Sequence, residues 1–311
     1  MRQARAFIIA GPTASGKSAL AMALAERLGG TVINADAMQC YAELRVLTAR
    51  PSVSDEARVP HALYGVLPSS TPGSVAWWRE AALVEMARTR LPILCGGTGM
   101  YLRALTQGIS ALPEVPAEVR EKSRRLLTEL GAAGLHARLH PEDAARLRPS
   151  DSQRIARAHE VWQGSGRPLA HWQRAASVMP PAPHAFRVIL LDPPREALRK
   201  AIGQRWQAML ASGALEEVAA LRGLDPALPA MRAHGVPELA AHLRDEIDLE
   251  EASRRVIAAT QAYTRRQGTW FRHQALVAPT YMHRINARIS GLEQFSESQK
   301  REIMSFVDSG G

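Results

Sequence analysis

Cysteine is almost missing from this chain: Cys40 and Cys95 stand far apart among 311 residues, with no CxxC and no paired histidine spacing. That excludes a disulfide framework and a zinc site, and it fits a reducing compartment. Long apolar runs are missing too, since no stretch approaches the roughly 20 residues of a membrane span. The short apolar stretch AFIIA, residues 6–10, runs directly into GPTASGKS. It therefore reads as a first strand and not as a signal peptide. Together these absences predict a cytoplasmic protein that meets no membrane. Aromatic residues are few, at 5%, while a hydrophobic content of 46% is ordinary for a globular chain of this length.

Lysine is scarce as well, with only Lys17, Lys122, Lys200 and Lys300. Arginine thus carries most of the basic excess of 39 over 30 acidic residues, a net charge of +9. Such a balance suits a polyanionic partner, although a GC-rich coding sequence also enriches arginine. Placement along the chain has to decide between the two.

The first hundred residues alternate apolar strands with helical stretches. AFIIA, GTVINADA (30–37) and LPILCGG (91–97) read as buried strands, while SALAMALAERL and AWWREAALVEMARTR carry helical periodicity. This rhythm predicts a parallel sheet covered on both faces, with ligands at the carboxyl ends of its strands. From about residue 111 the composition turns proline-rich and then charged-helical, and no strand returns until FRVILLD at 186–192. The expected organisation is an α/β, P-loop NTPase-like core over 1–110 and 185–275. A helical insertion fills 111–184, and a tail of undefined structure runs over 276–311. Two further helical segments follow the returning strand, the first broken near Ser212 and Gly213. No internal repeat is visible.

GPTASGKS, from Gly11 through Pro12, Thr13, Ala14, Ser15, Gly16 and Lys17 to Ser18, matches the phosphate-loop pattern GxxxxGK[ST] in full. Its glycines let successive N–H groups curl toward phosphate oxygens, and the following helix adds its N-terminal partial charge. Lys17 supplies a mobile point charge, and the Ser18 hydroxyl suits Mg²⁺. The motif secures phosphate binding, most often as ATP, but says nothing of what lies beyond the phosphates.

Asp36 follows the second predicted strand, expected beside the first, and its carboxylate has three plausible roles: helix cap, metal ligand through water, or general base. Gln39 has an amide edge suited to adenine. CGGTGMYLRAL repeats the strand, glycine turn and helix logic, with Thr98 at the helix start. In SDSQRIARAHEVW, Ser150 with Gln153 forms a capping-box pattern. Arg154 and Arg157 then share one helix face, while Ile155, Ala158 and Trp162 can face a core. Arg265, Arg266 and Arg272 form a second basic cluster.

GPTASGKS, NADAMQCY with TARPS, GGTGMYLRAL, DSQRIARAHEV, QRWQAMLASGALEEV, RAHGVPEL and YTRRQGTWFR together resemble the tRNA dimethylallyltransferases. The seven stretches come in family order over about residues 6–272. The resemblance implies transfer of a dimethylallyl group from dimethylallyl diphosphate to N6 of adenosine 37, beside the tRNA anticodon, with Mg²⁺ as cofactor and a monomeric enzyme. It assigns Asp36 as the base that takes the N6 proton, and Thr13 and Arg205 to the cradle of the departing diphosphate. It also assigns tRNA contacts to Asp36, Ala37, Met38 and Gln39, to Thr98 and Arg120, and to Gln153, Arg154, Ile155, Ala156 and Arg157. The arginines at 265, 266 and 272 are expected to add to these.

There are departures from the family pattern. Asn34 and Ala37 stand where serines are usual, and RVLTARP keeps a cation at Arg50 but loses a glycine. Two other classes compete: a phosphate-loop kinase of small molecules, and a nucleotide-gated RNA-binding protein without transfer activity.

Overall fold

The structure is a computed structural model that describes residues 4–174, 178–289 and 297–308. Ser177 of the proline-rich stretch at the end of the insertion, and residues 290–296 and 309–311 of the tail, lie outside them. The chain divides into two units, 1–107 with 182–311, and 108–181. The division falls slightly earlier at each end than the composition change suggested.

The first unit holds a six-stranded, all-parallel sheet. Its strands are β1 (Ala4–Ala10), β2 (Thr31–Asn34), β3 (His61–Ala62), β4 (Pro92–Gly96), β7 (His184–Leu191) and β8 (Met282–Ile285), in the order β3-β2-β4-β1-β7-β8. Alternation along β1 explains why both faces need cover. Ala6, Ile8 and Ala10 enter one core with Leu94, Val188 and Trp78, whereas Phe7 and Ile9 enter the other with Leu20, Ile93 and Ile189. Helix α1 (Lys17–Leu28) packs on the second face; α3 (Val75–Arg88) and α4 (Gly99–Thr106) pack on the first, and α2 (Val53–Arg58) is a short surface turn. Four more helices thicken the first face: α9 (Arg195–Ala211), α10 (Ala214–Ala219), α11 (Val236–His242) and α12 (Leu249–His273). The break expected near Ser212 and Gly213 separates α9 from α10, with Gly213 left-handed at φ 98°.

One expectation about the sheet is corrected. The strand before Asp36 does not lie beside the first strand, because β4 intervenes and pairs with both. The parallel crossover through α3 places β4 in the centre, where its five residues are all buried. The tail, for which a helix is one of two readings, contributes β8 and α13 (Glu297–Asp308), whose Ile303 and Val307 close the second face.

The second unit is mostly helical, but it also carries a strand at 178–179, before residue 186, where none was expected, because it pairs with residues 109–110 at the unit's other end. It comprises α5 (Ala117–His136), α6 (Pro141–Ala144), α7 (Ser152–Ser165) and α8 (Leu169–Arg174), with a short antiparallel pair, β5 (Ile109–Ser110) and β6 (Val178–Met179). Leu135, Leu139, Ile155 and Ala158 form its core. Helix α7 begins one residue later than the capping-box reading implied, because Asp151, not Ser150, accepts the Arg154 N–H as N-cap. A carboxylate serves that position at least as well as a hydroxyl.

Candidate active site

The phosphate loop follows β1 and leads into α1, the context its pattern requires. Gly16 sits at φ 95°, and a Cβ there would collide with the carbonyl oxygen of Ile289. The segment after β8 therefore lies directly on the loop. Its Ile289 N–H donates to the Ser15 carbonyl at 2.9 Å, and Arg288 Nε donates to the Ala14 carbonyl at 3.0 Å. This brace holds Ala14 at φ 65°, a conformation L-residues seldom adopt, and the sequence did not disclose it. Within the loop, Lys17 Nζ donates to the Pro12 carbonyl at 2.9 Å. Burial pushes the Lys17 ammonium below its ordinary pKa and Arg205 adds to that effect, while Cys95 and Asp36 oppose it.

Asp36 stands two residues beyond β2, in a turn built by Asn34. The buried Asn34 side chain accepts the Asp36 N–H at 2.8 Å, and its amide nitrogen donates to the carbonyls of Asp36 and Leu63, each at 3.0 Å. Asp36 Oδ1 accepts the Met38 N–H at 3.0 Å, whereas among the described residues Oδ2 accepts no hydrogen bond. The cap and base roles are thus compatible, one oxygen to each. Asn34, noted above only as a departure from the family pattern, is the support of this turn.

The second glycine turn lies alongside. Thr98 Oγ1 accepts the Ala37 N–H at 3.0 Å, and Thr98 N–H donates to the Ala35 carbonyl at 3.2 Å. Gln267 of α12 joins both glycine turns: its Oε1 accepts the Thr13 N–H at 2.8 Å and its Nε2 donates to the Gly97 carbonyl at 3.0 Å. A Cβ on Gly97 would strike that amide, so this glycine exists for close approach. Burial pushes the Tyr263 hydroxyl above its ordinary pKa beside Asp36, and the His234 ring lies 5.0 Å from the Tyr263 ring. Burial lowers the His234 pKa, Arg266 lowers it further, and Glu238 and Asp36 oppose them. The sequence reading missed Gln267, Tyr263 and His234. A signal was present, since Tyr263, Gln267 and Trp270 recur at helical spacing within YTRRQGTWFR.

Arg205 on α9 donates from Nη2 to the Thr48 carbonyl at 3.1 Å. Burial pushes it below its ordinary pKa, with the Asp36 carboxylate opposing. Lys17, Arg205 and Asp36 therefore share one electrostatic site. Both thiols are inert: burial pushes Cys40 up to about 12 and Cys95 up to about 11. Ser18 is exposed at the start of α1.

Other expected residues are placed differently. Gln39 donates its amide nitrogen to the Thr48 and Ala49 carbonyls at 2.9 and 3.0 Å. A two-point contact to adenine needs that donor, so only its carbonyl oxygen remains for a base. Arg50 donates to the Tyr41 and Ala42 carbonyls and braces the same loop. Ile155 and Ala156 are buried in the second unit, at 0% and 8% exposure, so their side chains pack inside it. On that unit Arg120 and Gln153 are exposed, Arg154 pairs with Asp151, and the partly buried Arg157 pairs with Glu160. The C-terminal arginine trio is split: Arg266 stacks over Tyr263 at 5.6 Å, whereas Arg265 and Arg272 lie on the opposite face of α12.

A family model for IPP transferase matches residues 39–274, and one for isopentenyl transferase matches residues 4–59. A tRNA dimethylallyltransferase of Granulibacter bethesdensis is 55% identical over 99% of both chains, and one of Acidiphilium cryptum is 56% identical over 97% of this chain and 94% of its own. The crystal structure of a full-length tRNA isopentenylpyrophosphate transferase from Bacillus halodurans superposes with a TM-score of 0.68 at 28% identity, covering 98% of this chain and 96% of that one. A eukaryotic dimethylallyltransferase acting on tRNA shares the fold, with a TM-score of 0.75 at 21% identity over 97% of this chain and 79% of its own. These likenesses favour prenyl transfer over the kinase reading. The loop, the Asp36 turn and the long identities agree: the chain belongs to the tRNA dimethylallyltransferase family.

Proposed function

We propose that the protein transfers a dimethylallyl group from dimethylallyl diphosphate to N6 of adenosine 37 of tRNA, releasing diphosphate. The carrying observation is that Asp36, among the described residues, keeps one carboxylate oxygen unengaged at the same sheet edge as the phosphate loop. As the allylic C–O bond breaks, its electron pair goes to the diphosphate, and the N6 lone pair forms the new C–N bond. That lone pair is delocalised into the ring, so the amine attacks well only as its proton leaves for Asp36. Loop N–H groups, Lys17 and Arg205 stabilise the negative charge on the leaving group. Thr13 contributes to the same cradle, its backbone set by Gln267.

For Mg²⁺ the donor chemistry fits. No cluster of three or more His, Cys, Asp or Glu occurs among the described residues, and Mg²⁺ beside a diphosphate needs few protein ligands. The Ser18 hydroxyl would hold it, and the bound ion would supply further charge neutralisation to the leaving group. On the RNA side, a stacked adenosine has to be turned out to reach the site. Asp36, Ala37, Met38, the Gln39 carbonyl, Thr98 and Arg266 would receive it. Arg120, Gln153, Arg154 and Arg157 would meet the anticodon arm from the second unit. The enzyme would act as a cytoplasmic monomer; no helix of the described residues is long and apolar enough to cross a membrane.

The test is incubation with Mg²⁺, dimethylallyl diphosphate and unmodified tRNA, followed by mass analysis of the nucleosides. Dimethylallyl adenosine is expected. A folded, tRNA-binding sample that yields none would overturn the proposal.

A further inference from the structure

Helix α12 divides the first unit's loop region into two environments. Tyr263, Arg266, Gln267 and Trp270 fall on one side of it, the side of the Asp36 turn. At 100° per residue, Gln261, Arg265, Gly268 and Arg272 fall on the other. There they line a shallow recess that opens to solvent. Its remaining walls include Pro12 of the phosphate loop, Asp192 beyond β7, and Arg195 and Arg199 in the first turns of α9.

The charges in this recess do not cancel. Asp192 is its single carboxylate, and both its oxygens are engaged, Oδ1 by Arg272 at 3.6 Å and Oδ2 by Arg284 at 2.9 Å. Arg195, Arg199 and Arg265 make no ion pair or side-chain hydrogen bond among the described residues. Elsewhere on α12 the exposed arginines Arg254 and Arg255 pair with Glu250 and Glu251. Three uncompensated guanidiniums about one concavity repel one another, and an anion with several oxygens relieves that repulsion through charge-assisted hydrogen bonds. The α9 N-terminus adds a partial positive charge of the same sign.

We propose that this recess is a second diphosphate-binding subsite, separate from the phosphate loop, that captures the prenyl donor by its head group and receives diphosphate after transfer. The donor and release roles rest on the prenyl-transfer reading; diphosphate binding itself does not. A compact oligophosphate suits the place better than RNA, because the arginines encircle a recess against Pro12 and do not track along a stripe as a nucleic-acid backbone requires. Arg265 and Arg272 thereby belong to the donor side and not to the tRNA contacts first expected of them.

The experiment uses the full chain and inorganic diphosphate. Calorimetric titration of Lys17→Ala, which weakens the phosphate loop, is expected to leave a salt-sensitive diphosphate site. Adding Arg195→Ala and Arg199→Ala should weaken that site about 10-fold or more, and the lysine pair R195K/R199K should restore part of it. In the wild-type background the alanine pair should raise the donor KM and the inhibition constant for diphosphate by about 10-fold. Both kcat and the tRNA Kd should stay within about twofold. Thermal melting matched to wild type checks the fold, and the lysine pair serves if the alanine pair melts early. A fall in tRNA affinity with diphosphate binding unchanged would make the recess an RNA surface and overturn the subsite. So would diphosphate titrations that the substitutions leave unaltered. Arginine-dependent diphosphate binding in a protein that fails to prenylate tRNA would sustain the subsite while the proposed function fell.

Discussion

Two turns at the carboxyl edge of one sheet are built in opposite ways. The phosphate loop is held by its backbone: Gln267 takes the Thr13 N–H, and Arg288 and Ile289 brace the carbonyls of Ala14 and Ser15. Its chemistry is positive, carried by N–H groups and Lys17. The Asp36 turn is held by a buried side chain, Asn34, and its chemistry is one carboxylate with one unengaged oxygen. A leaving group that gains negative charge needs the first kind of turn, and an amine that loses a proton needs the second. They sit only as far apart as Gln267 and Thr98 can bridge, through Gly97 and the Ala37 N–H.

The largest expected effect comes from removing the carboxylate. Asp36→Ala should lower kcat by about 10²–10⁴-fold, as loss of a general base does, with tRNA affinity little changed in filter binding. Equal losses in kcat and in tRNA affinity would dissolve the distinction between the turns. Lys17→Ala should lower kcat/KM for the donor by about 10²–10³-fold through weaker diphosphate stabilisation, and initial rates against donor concentration check it. An unchanged donor dependence would remove the loop from the reaction.

Gln267→Ala tests the bridge. It leaves the Thr13 N–H and Gly97 carbonyl without their partner, so denaturant melts should show a loss of roughly 1–3 kcal/mol. The donor KM should rise with it, since the loop loses its tie to α12. The smallest effect is on acid stability. Burial lowers the pKa of His159, His184 and His234. The unfolded chain then binds more protons than the folded one below about pH 6.5, so stability is full above that pH and declines as pH falls through the lowered values. Midpoints of urea unfolding at pH 7.5 and 5.5 should differ in that sense. His234→Gln should reduce the difference, whereas a midpoint that rises in acid would contradict the buried, neutral state.

Much of this was legible in the chain because local chemistry governs it. The apolar runs that became β1, β2, β4 and β7, the glycine loop, and the helix break at Gly213 all depend on neighbours a few residues away. Gln267 was legible in part, as a polar residue on the buried stripe of an amphipathic helix. The arginines of α12 were read as one cluster by proximity in sequence, but a helix turns 100° per residue and set Arg265 and Arg272 against Arg266. Ile155 and Ala156, which the family resemblance groups with Arg154 and Arg157, are buried by packing within the second unit.

The sequence by itself determined a phosphate loop after a buried strand, an acidic turn at the edge of the same sheet, and a helical insertion. Each of these is written in residue types and short spacings. Only the tertiary structure decided that β4 lies between β1 and β2, that Ile289 and Arg288 brace a loop more than 270 residues earlier, and that Gln267 ties two glycine turns together. Those outcomes depend on which distant backbone groups find hydrogen-bond partners when two faces of one sheet are buried, and no local pattern encodes that pairing.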